Sequence, residues 1–216
     1  METFTGLLDW PDCRNVRDIG GMPAADGRRI RDRVLVRADS LEQLTDSGIA
    51  AARDYGVTTV LDMRSAHEIG GARHPFDVQV LPFVDAERDL ERDAAAEKTT
   101  ADLYRGSIDR NGRCVAALVS AIAGAPPGTI VVHCLFGGDR TGMLVALLLD
   151  LVGTPRSVII EDYERTWAFR SDAAETGAID QTMTHIDARW GGARGYLRQH
   201  GVTDAEISAL RDRLLV

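Results

Sequence analysis

Lysine is nearly missing from this 216-residue chain: of its 25 basic residues, Lys98 is the one lysine and 24 are arginine. An anion bound here is therefore held by planar guanidinium forks and backbone amides rather than by ammonium groups. Cysteine is almost as scarce. Cys13, Cys114 and Cys134 show no CxxC spacing and form no even-numbered framework, which argues against a disulfide scaffold and a thiolate zinc site. The five histidines, His67, His74, His133, His185 and His200, follow no HExxH-like spacing, so no metal and no other cofactor is expected. A long apolar run is missing too. The most apolar window, Met143 to Val152, is broken by Asp150 and far too short to span a bilayer. The opening METFTGLLDWPD has no basic stretch leading into an apolar one, so neither membrane anchor nor secretory leader is expected and the default location is the cytoplasm. A basic face is lacking as well: with a net charge of −8, nucleic acid and anionic membrane are poor general partners.

What is present is ordinary for a soluble globular protein, 44% apolar and 27% charged, with a length that suits one well-buried domain over 1–216. The Arg- and Ala-rich usage hints at a GC-rich bacterial coding background. RVLVRAD (33–39) reads as a strand, SGIAAARDYG (47–56) as a helix ended by Gly56, and VTTVLDMR (57–64) as a strand buried on both faces. QVLPF (79–83) is a weaker strand. Cys114 to Ile122 is helical and GAPPG (124–128) stops it; TIVVH (129–133) is another buried strand, and Thr141 to Val152 an almost wholly apolar helix. Thr154-Pro155 is expected to cap a helix running through VIIEDYERTW. GARGYLRQHG gives a short helix, and Thr203-x-x-Glu206 is a capping box opening the last one. The charged, Ala-rich residues 85–107 suit an exposed helix or a mobile lid. Alternating buried strands and helices predict an α/β fold: a mainly parallel central sheet flanked by helices, with a helical C-terminal third.

Between TIVV and the apolar helix stands HCLFGGDRTG (133–142). Gly137 and Gly138 let a turn fold with successive N–H groups inward, and the helix start adds its positive dipole end, which makes an anion cradle. Cys134 would sit on its floor, where amide donors and a helix N-terminus favour thiolate over thiol and so a nucleophile. Arg140, six residues on, can return across the loop and offer a fork to two phosphate oxygens. Thr141 can donate its hydroxyl to the sulfur, His133 can orient the loop by hydrogen bonding, and Leu135 and Phe136 either shape the pocket wall or pack beneath the loop. Together these residues suit phosphate ester cleavage through a cysteinyl-phosphate that water then hydrolyses.

The string matches His-Cys-x5-Arg-Ser/Thr-Gly, and through it the chain resembles the cysteine-dependent protein tyrosine phosphatase superfamily. More narrowly it resembles the bacterial branch that includes the mycobacterial tyrosine phosphatase B type, with HCxxGKDRTG. NVRDIGG (15–21), RVLVRADSL (33–41), VLDMRSAHE (60–68) and GVTDAEISALRDRLL (201–215) agree with other stretches of that branch. The resemblance implies a tyrosine-phosphatase-like fold, a metal-independent phosphomonoesterase, and a phosphorylated protein or small phosphorylated molecule as substrate. It also implies Asp139 as proton donor, with Gly137, Gly138 and Gly142 in the phosphate-binding loop and Arg17 and Arg64 either at the pocket mouth or in ion pairs. Asp85 and Asp12 are the other candidate acids. Trp10-Pro11-Asp12 spells the acid loop of many tyrosine phosphatases, but there it lies a few tens of residues before the cysteine, whereas Asp12 precedes Cys134 by 122 positions. One departure stands out: Gly138 replaces the branch's usual lysine, which points away from multiply phosphorylated lipids and toward monophosphates. The alternatives are a phosphatase of a small metabolite, an arsenate reductase or sulfur transferase, disfavoured by the lack of a resolving cysteine at short spacing, and a phosphate-binding module without turnover.

Overall fold

The computed structural model describes residues 6–69, 75–169 and 177–216; the backbone of Ala168 and Phe169 belongs to it, and His74 lies outside it. Its strands are β1 (Arg17–Asp18), β2 (Leu35–Ala38), β3 (Val57–Asp62), β4 (Val78–Val80) and β5 (Thr129–His133), in the spatial order β1-β2-β5-β3-β4. β1 runs antiparallel to β2, and every other pairing is parallel. β5 is central and buried at all five positions, as expected of a strand covered on both faces. The register places Ala38 and Asp62 on either side of His133, so three strands end in line. The loop after β5 thus emerges at the C-terminal edge of the sheet, where open α/β sheets present their crevices.

The helices are α1 (Asp46–Asp54), α2 (Ala66–Ile69), α3 (Ala86–Asp89), α4 (Thr100–Arg110), α5 (Gly112–Gly124), α6 (Asp139–Leu151), α7 (Arg156–Arg165), α8 (Ala178–Trp190), α9 (Ala193–Gln199) and α10 (Asp204–Leu214). One face of the sheet carries a small core in which Trp10, Val36, Leu41, Ala52 and Val131 meet. The other carries the main core around α6, whose residues from Thr141 to Leu149 are all buried, as a helix apolar all round must be. The helical C-terminal third is as expected, and the Thr203–Glu206 capping box forms.

Several elements differ from the sequence pattern. β3 stops at Asp62, and its first three residues are partly exposed; Met63 N–H still donates to the His133 carbonyl over 2.9 Å, and the chain bends at Arg64. β4 covers 78–80 rather than 79–83, although the Leu81 and Phe83 N–H groups still donate to the Asp62 and Met63 carbonyls at 2.9 and 3.1 Å. α6 begins at Asp139, two residues before Thr141, so part of the loop is itself helix start. Pro155 takes the N-cap place of α7, and Thr154 is buried without capping it. Residues 85–107 divide into two parts. The half up to Glu97 is mostly exposed, but α4 is fixed by its own Thr99–Asp102 capping box and buries Ala101, Tyr104 and Ile108.

Candidate active site

The loop between β5 and α6 is shaped by where its carbonyls go. Ser40 N–H donates to the Leu135 carbonyl (3.1 Å), Asn15 Nδ2 to that of Phe136 (2.9 Å) and Arg37 Nη2 to that of Gly137 (2.7 Å). His133 Nδ1 lies 3.1 Å from the Cys134 carbonyl oxygen; a carbonyl only accepts, so Nδ1 carries the ring proton. Burial pushes His133 below its usual range, which keeps the ring neutral and suits it to orienting the loop. A planar peptide points its N–H opposite its C=O, so carbonyls bonded outward leave the amide edges of residues 135–138 turned to the inner side.

Gly137 is required twice over. Its φ of +66° is left-handed, and a Cβ there would lie 2.5 Å from the Ala38 carbonyl oxygen. Gly142 lets α7 approach, since a Cβ would stand 2.8 Å from the Tyr163 ring. Gly138 is different: its φ is −92° and a Cβ would meet nothing closer than 3.4 Å, so the backbone does not forbid a side chain there. The missing lysine is a chemical difference rather than a steric one.

Cys134 is 2% exposed, and the Thr141 hydroxyl, fully buried, donates to its Sγ over 3.2 Å. Arg140 is 19% exposed in its side chain and forks onto Glu68 of α2, with Nη1 and Nη2 at 2.8 and 2.7 Å from the two carboxylate oxygens. Burial works against the Glu68 charge, but bonds from Arg140 and Ser65 outweigh it and bring the carboxyl down to about 2. Asp139, first residue of α6, accepts at Oδ1 from the Tyr104 hydroxyl over 2.5 Å. Leu135 and Phe136 are 39% and 51% exposed, so neither packs beneath the loop. Beside Arg140 opens a cleft of about 390 Å³ whose walls include Ser65, His67, Glu68, Asp89 and Leu90.

Thr141 is bonded to Cys134 and Arg140 lies within reach of its charge, while the neighbouring Asp139 turns its carboxylate to Tyr104. Arg17 and Arg64 are not at a pocket mouth. Arg17 is fully buried, with Nε 2.8 Å from Asp162 Oδ1, Nη1 on Asn15 and Nη2 on the Asp162 carbonyl and Thr166. Arg64 is equally enclosed, spent on Asp62, Glu42 and Ser40. The ion-pair reading, not the substrate reading, holds for both. Asp85 caps α3, accepting from Glu87 N–H at 3.0 Å and Arg88 N–H at 3.3 Å. Trp10 is a core residue packed edge-on against Tyr55, and Asp12 is exposed in the turn that follows, with φ at +67°.

Three residues of the site escaped the sequence reading. Glu68 announces itself only as the fourth residue of Ser65-x-x-Glu68, whose Ser65 N–H and hydroxyl both reach the carboxylate. Arg37 sits inside the apolar strand β2; such an arginine needs a buried partner, and it has one, with Nη1 2.5 Å from Asp162 Oδ2. Tyr104 lies in the charged stretch 85–107, which reads as an exposed helix or a mobile lid.

Comparison with known proteins gives the family. A sequence model of the tyrosine phosphatase family matches residues 8–216. The chain is 30% identical to the triple specificity protein phosphatase PtpB of Mycobacterium tuberculosis, over 97% of this chain and 99% of that one. It is 28% identical to a tyrosine-protein phosphatase of Nostoc commune, over 89% of this chain and 78% of that one. Among solved structures, TpbA of P. aeruginosa is a distant likeness, 17% identical with a TM-score of 0.41 over 88% of this chain and 93% of that one.

Proposed function

This chain belongs to the tyrosine phosphatase family, and from that premise we propose that it hydrolyses phosphate monoesters, protein phosphotyrosine foremost, through a phosphoryl group carried on Cys134. The observation that carries this reading is the loop itself, a buried cysteine ringed by peptide units whose carbonyls are each bonded outward. The inward amides and the α6 N-terminus supply fixed donors where a phosphoryl dianion would gather charge. Arg140 has five N–H donors; Glu68 takes two, which leaves three for phosphate oxygens and fixes the plane in which they lie.

In the first step the Cys134 sulfur bonds to phosphorus, the ester P–O bond breaks, and Asp139 gives its proton to the departing oxygen. In the second a water oxygen joins phosphorus, its proton passes to Asp139, and the S–P pair returns to the sulfur. Thr141 is already bonded to that sulfur and stabilises the charge it regains. His133 stays neutral and acts on backbone rather than substrate.

Gly138 and the acidic rim support a monophosphate substrate. At that rim Asp89 stands in the cleft beside Arg140, within a stretch from Asp85 to Glu97 that holds six carboxylates and two arginines, and its charge disfavours further phosphates. Cytoplasmic residence, where three free thiols stay reduced, is part of the same proposal. One preparation screened against phosphotyrosine peptides, phosphoinositides and phosphorylated metabolites tests the substrate class. Phosphotyrosine peptides should give the highest kcat/KM; a higher value for a nucleoside or sugar phosphate replaces the protein substrate by a metabolite. Chelator should leave the activity intact and vanadate abolish it.

A further inference from the structure

The Tyr104 hydroxyl lies 2.5 Å from Asp139 Oδ1 and 2.7 Å from the Tyr163 hydroxyl. The Tyr104 hydroxyl donates to Asp139 Oδ1, which spends its one proton there, so the Tyr163 proton must point at the Tyr104 oxygen. The two rings meet edge to face at 88° with centroids 6.1 Å apart, and both are buried. Tyr163 is set in turn by Trp167, edge-on at 5.7 Å, and by Gly142, whose missing side chain admits its ring. Burial first, and the facing Asp139 charge second, keep the proton on Tyr104, while Tyr163 is pushed up to about 12. Both phenols thus keep their protons, and the relay runs from α7 through α4 to the start of α6.

We propose that Tyr104, seconded by Tyr163, is a positioning residue for the proton donor: it holds Asp139 through Oδ1, so that Oδ2 is the oxygen that carries and delivers the proton. This rests on the reading of Asp139 as the acid. When the S–P bond forms and the ester bond breaks, the proton on Oδ2 goes to the leaving oxygen and negative charge appears on Asp139. The Tyr104 proton stays on its own oxygen, but its hydrogen bond to the new carboxylate becomes charge-assisted. A bond that strengthens as the reaction proceeds favours the transition state over the ground state. In the second step water returns a proton to Oδ2 and the bond relaxes.

The test uses leaving groups. Wild type, Tyr104→Phe, Tyr163→Phe and Asp139→Asn are compared on aryl phosphates running from phenyl, whose oxygen needs a proton, to dinitrophenyl, whose oxygen leaves without one. Tyr104→Phe should slow phenyl phosphate on the order of 10- to 100-fold, as expected for losing a hydrogen bond to a charged group, and leave the dinitrophenyl ester within about twofold. Tyr163→Phe, which leaves the Asp139 contact in place, should give the same tilt at smaller size and keeps the test alive if Tyr104→Phe folds poorly. An equal loss on both esters, or none on either, overturns the role of Tyr104. If Asp139→Asn tilts the series and the tyrosine variants do not, the positioning inference alone fails; if Asp139→Asn shows no tilt, the assignment of the acid falls and this inference with it.

Discussion

Arg37 holds the phosphate loop from below, and Arg37→Lys should show how much that support matters. Its guanidinium bridges three acceptors: Asp162 Oδ2 at 2.5 Å, the Gly137 carbonyl at 2.7 Å and the Thr166 hydroxyl at 3.1 Å. Burial alone would raise the Asp162 carboxyl, yet Arg37 and Arg17 hold it below the ordinary range, so all three groups are charged without contact with water. A lysine ammonium is a compact point charge that cannot reproduce a planar fork, so it keeps Asp162 and gives up Gly137. The orphaned carbonyl costs about 1–3 kcal/mol of stability, a sizeable part of the 5–15 kcal/mol typical of a domain. Freed from its anchor, the peptide after Gly137 no longer presents its N–H at a fixed angle; one amide–anion bond of about 1.5 kcal/mol corresponds to roughly tenfold in affinity. Urea unfolding at constant m and vanadate inhibition read the two effects separately. An unchanged midpoint with unchanged vanadate affinity would refute the reasoning. A lower midpoint with unchanged affinity would confine Arg37 to the core and remove it from the site.

Two further outcomes follow from the same geometry. Glu68 has its folded carboxyl depressed to about 2, against 4.5 ordinarily, so its pair with Arg140 contributes stability above pH 4.5 and loses it as pH falls toward 2. Glu68→Gln should flatten the acid-unfolding curve in that window, by at most about 1 kcal/mol because the pair is partly solvated, and should raise KM more than it lowers kcat. A curve and a KM identical to wild type would show that Arg140 needs no partner. Thr141→Val removes the donor to Cys134 Sγ and should slow hydrolysis of the phosphoenzyme more than its formation, giving a larger pre-steady-state burst with a kcat lower by about tenfold; a lower rate without a larger burst would place Thr141 in the first step instead.

How much of this was legible in the sequence depends on distance along the chain. The phosphate loop is ten contiguous residues whose glycines, cysteine and arginine are set by local backbone geometry, so its spacing carried its chemistry. β5 is equally plain, because a strand covered on both faces must be apolar throughout, whereas the same reading of 57–64 fails at the partly exposed start of β3. Glu68, Arg37 and Tyr104 are another matter. They reach the loop across 72, 100 and 35 positions, and no local pattern states which side chains a fold will bring together. α4 was obscured by its neighbourhood: the charges of 85–97 dominate that window and hide the spacing of Ala101, Tyr104 and Ile108 that buries the helix. Arg17 and Arg64 stay undecided in the sequence, since an arginine in a motif looks the same whether it faces a ligand or a buried carboxylate. Trp10-Pro11-Asp12 is a three-letter coincidence in which the tryptophan serves the small core.

The central claim is the covalent one, and acid quenching during turnover of a slow aryl phosphate tests it most directly. Mass analysis of the quenched, digested protein should find one phosphoryl group on the peptide containing Cys134, and Cys134→Ser should bind vanadate or substrate with neither turnover nor label. Normal turnover by Cys134→Ser, or a phosphoryl group on any other residue, would contradict the account.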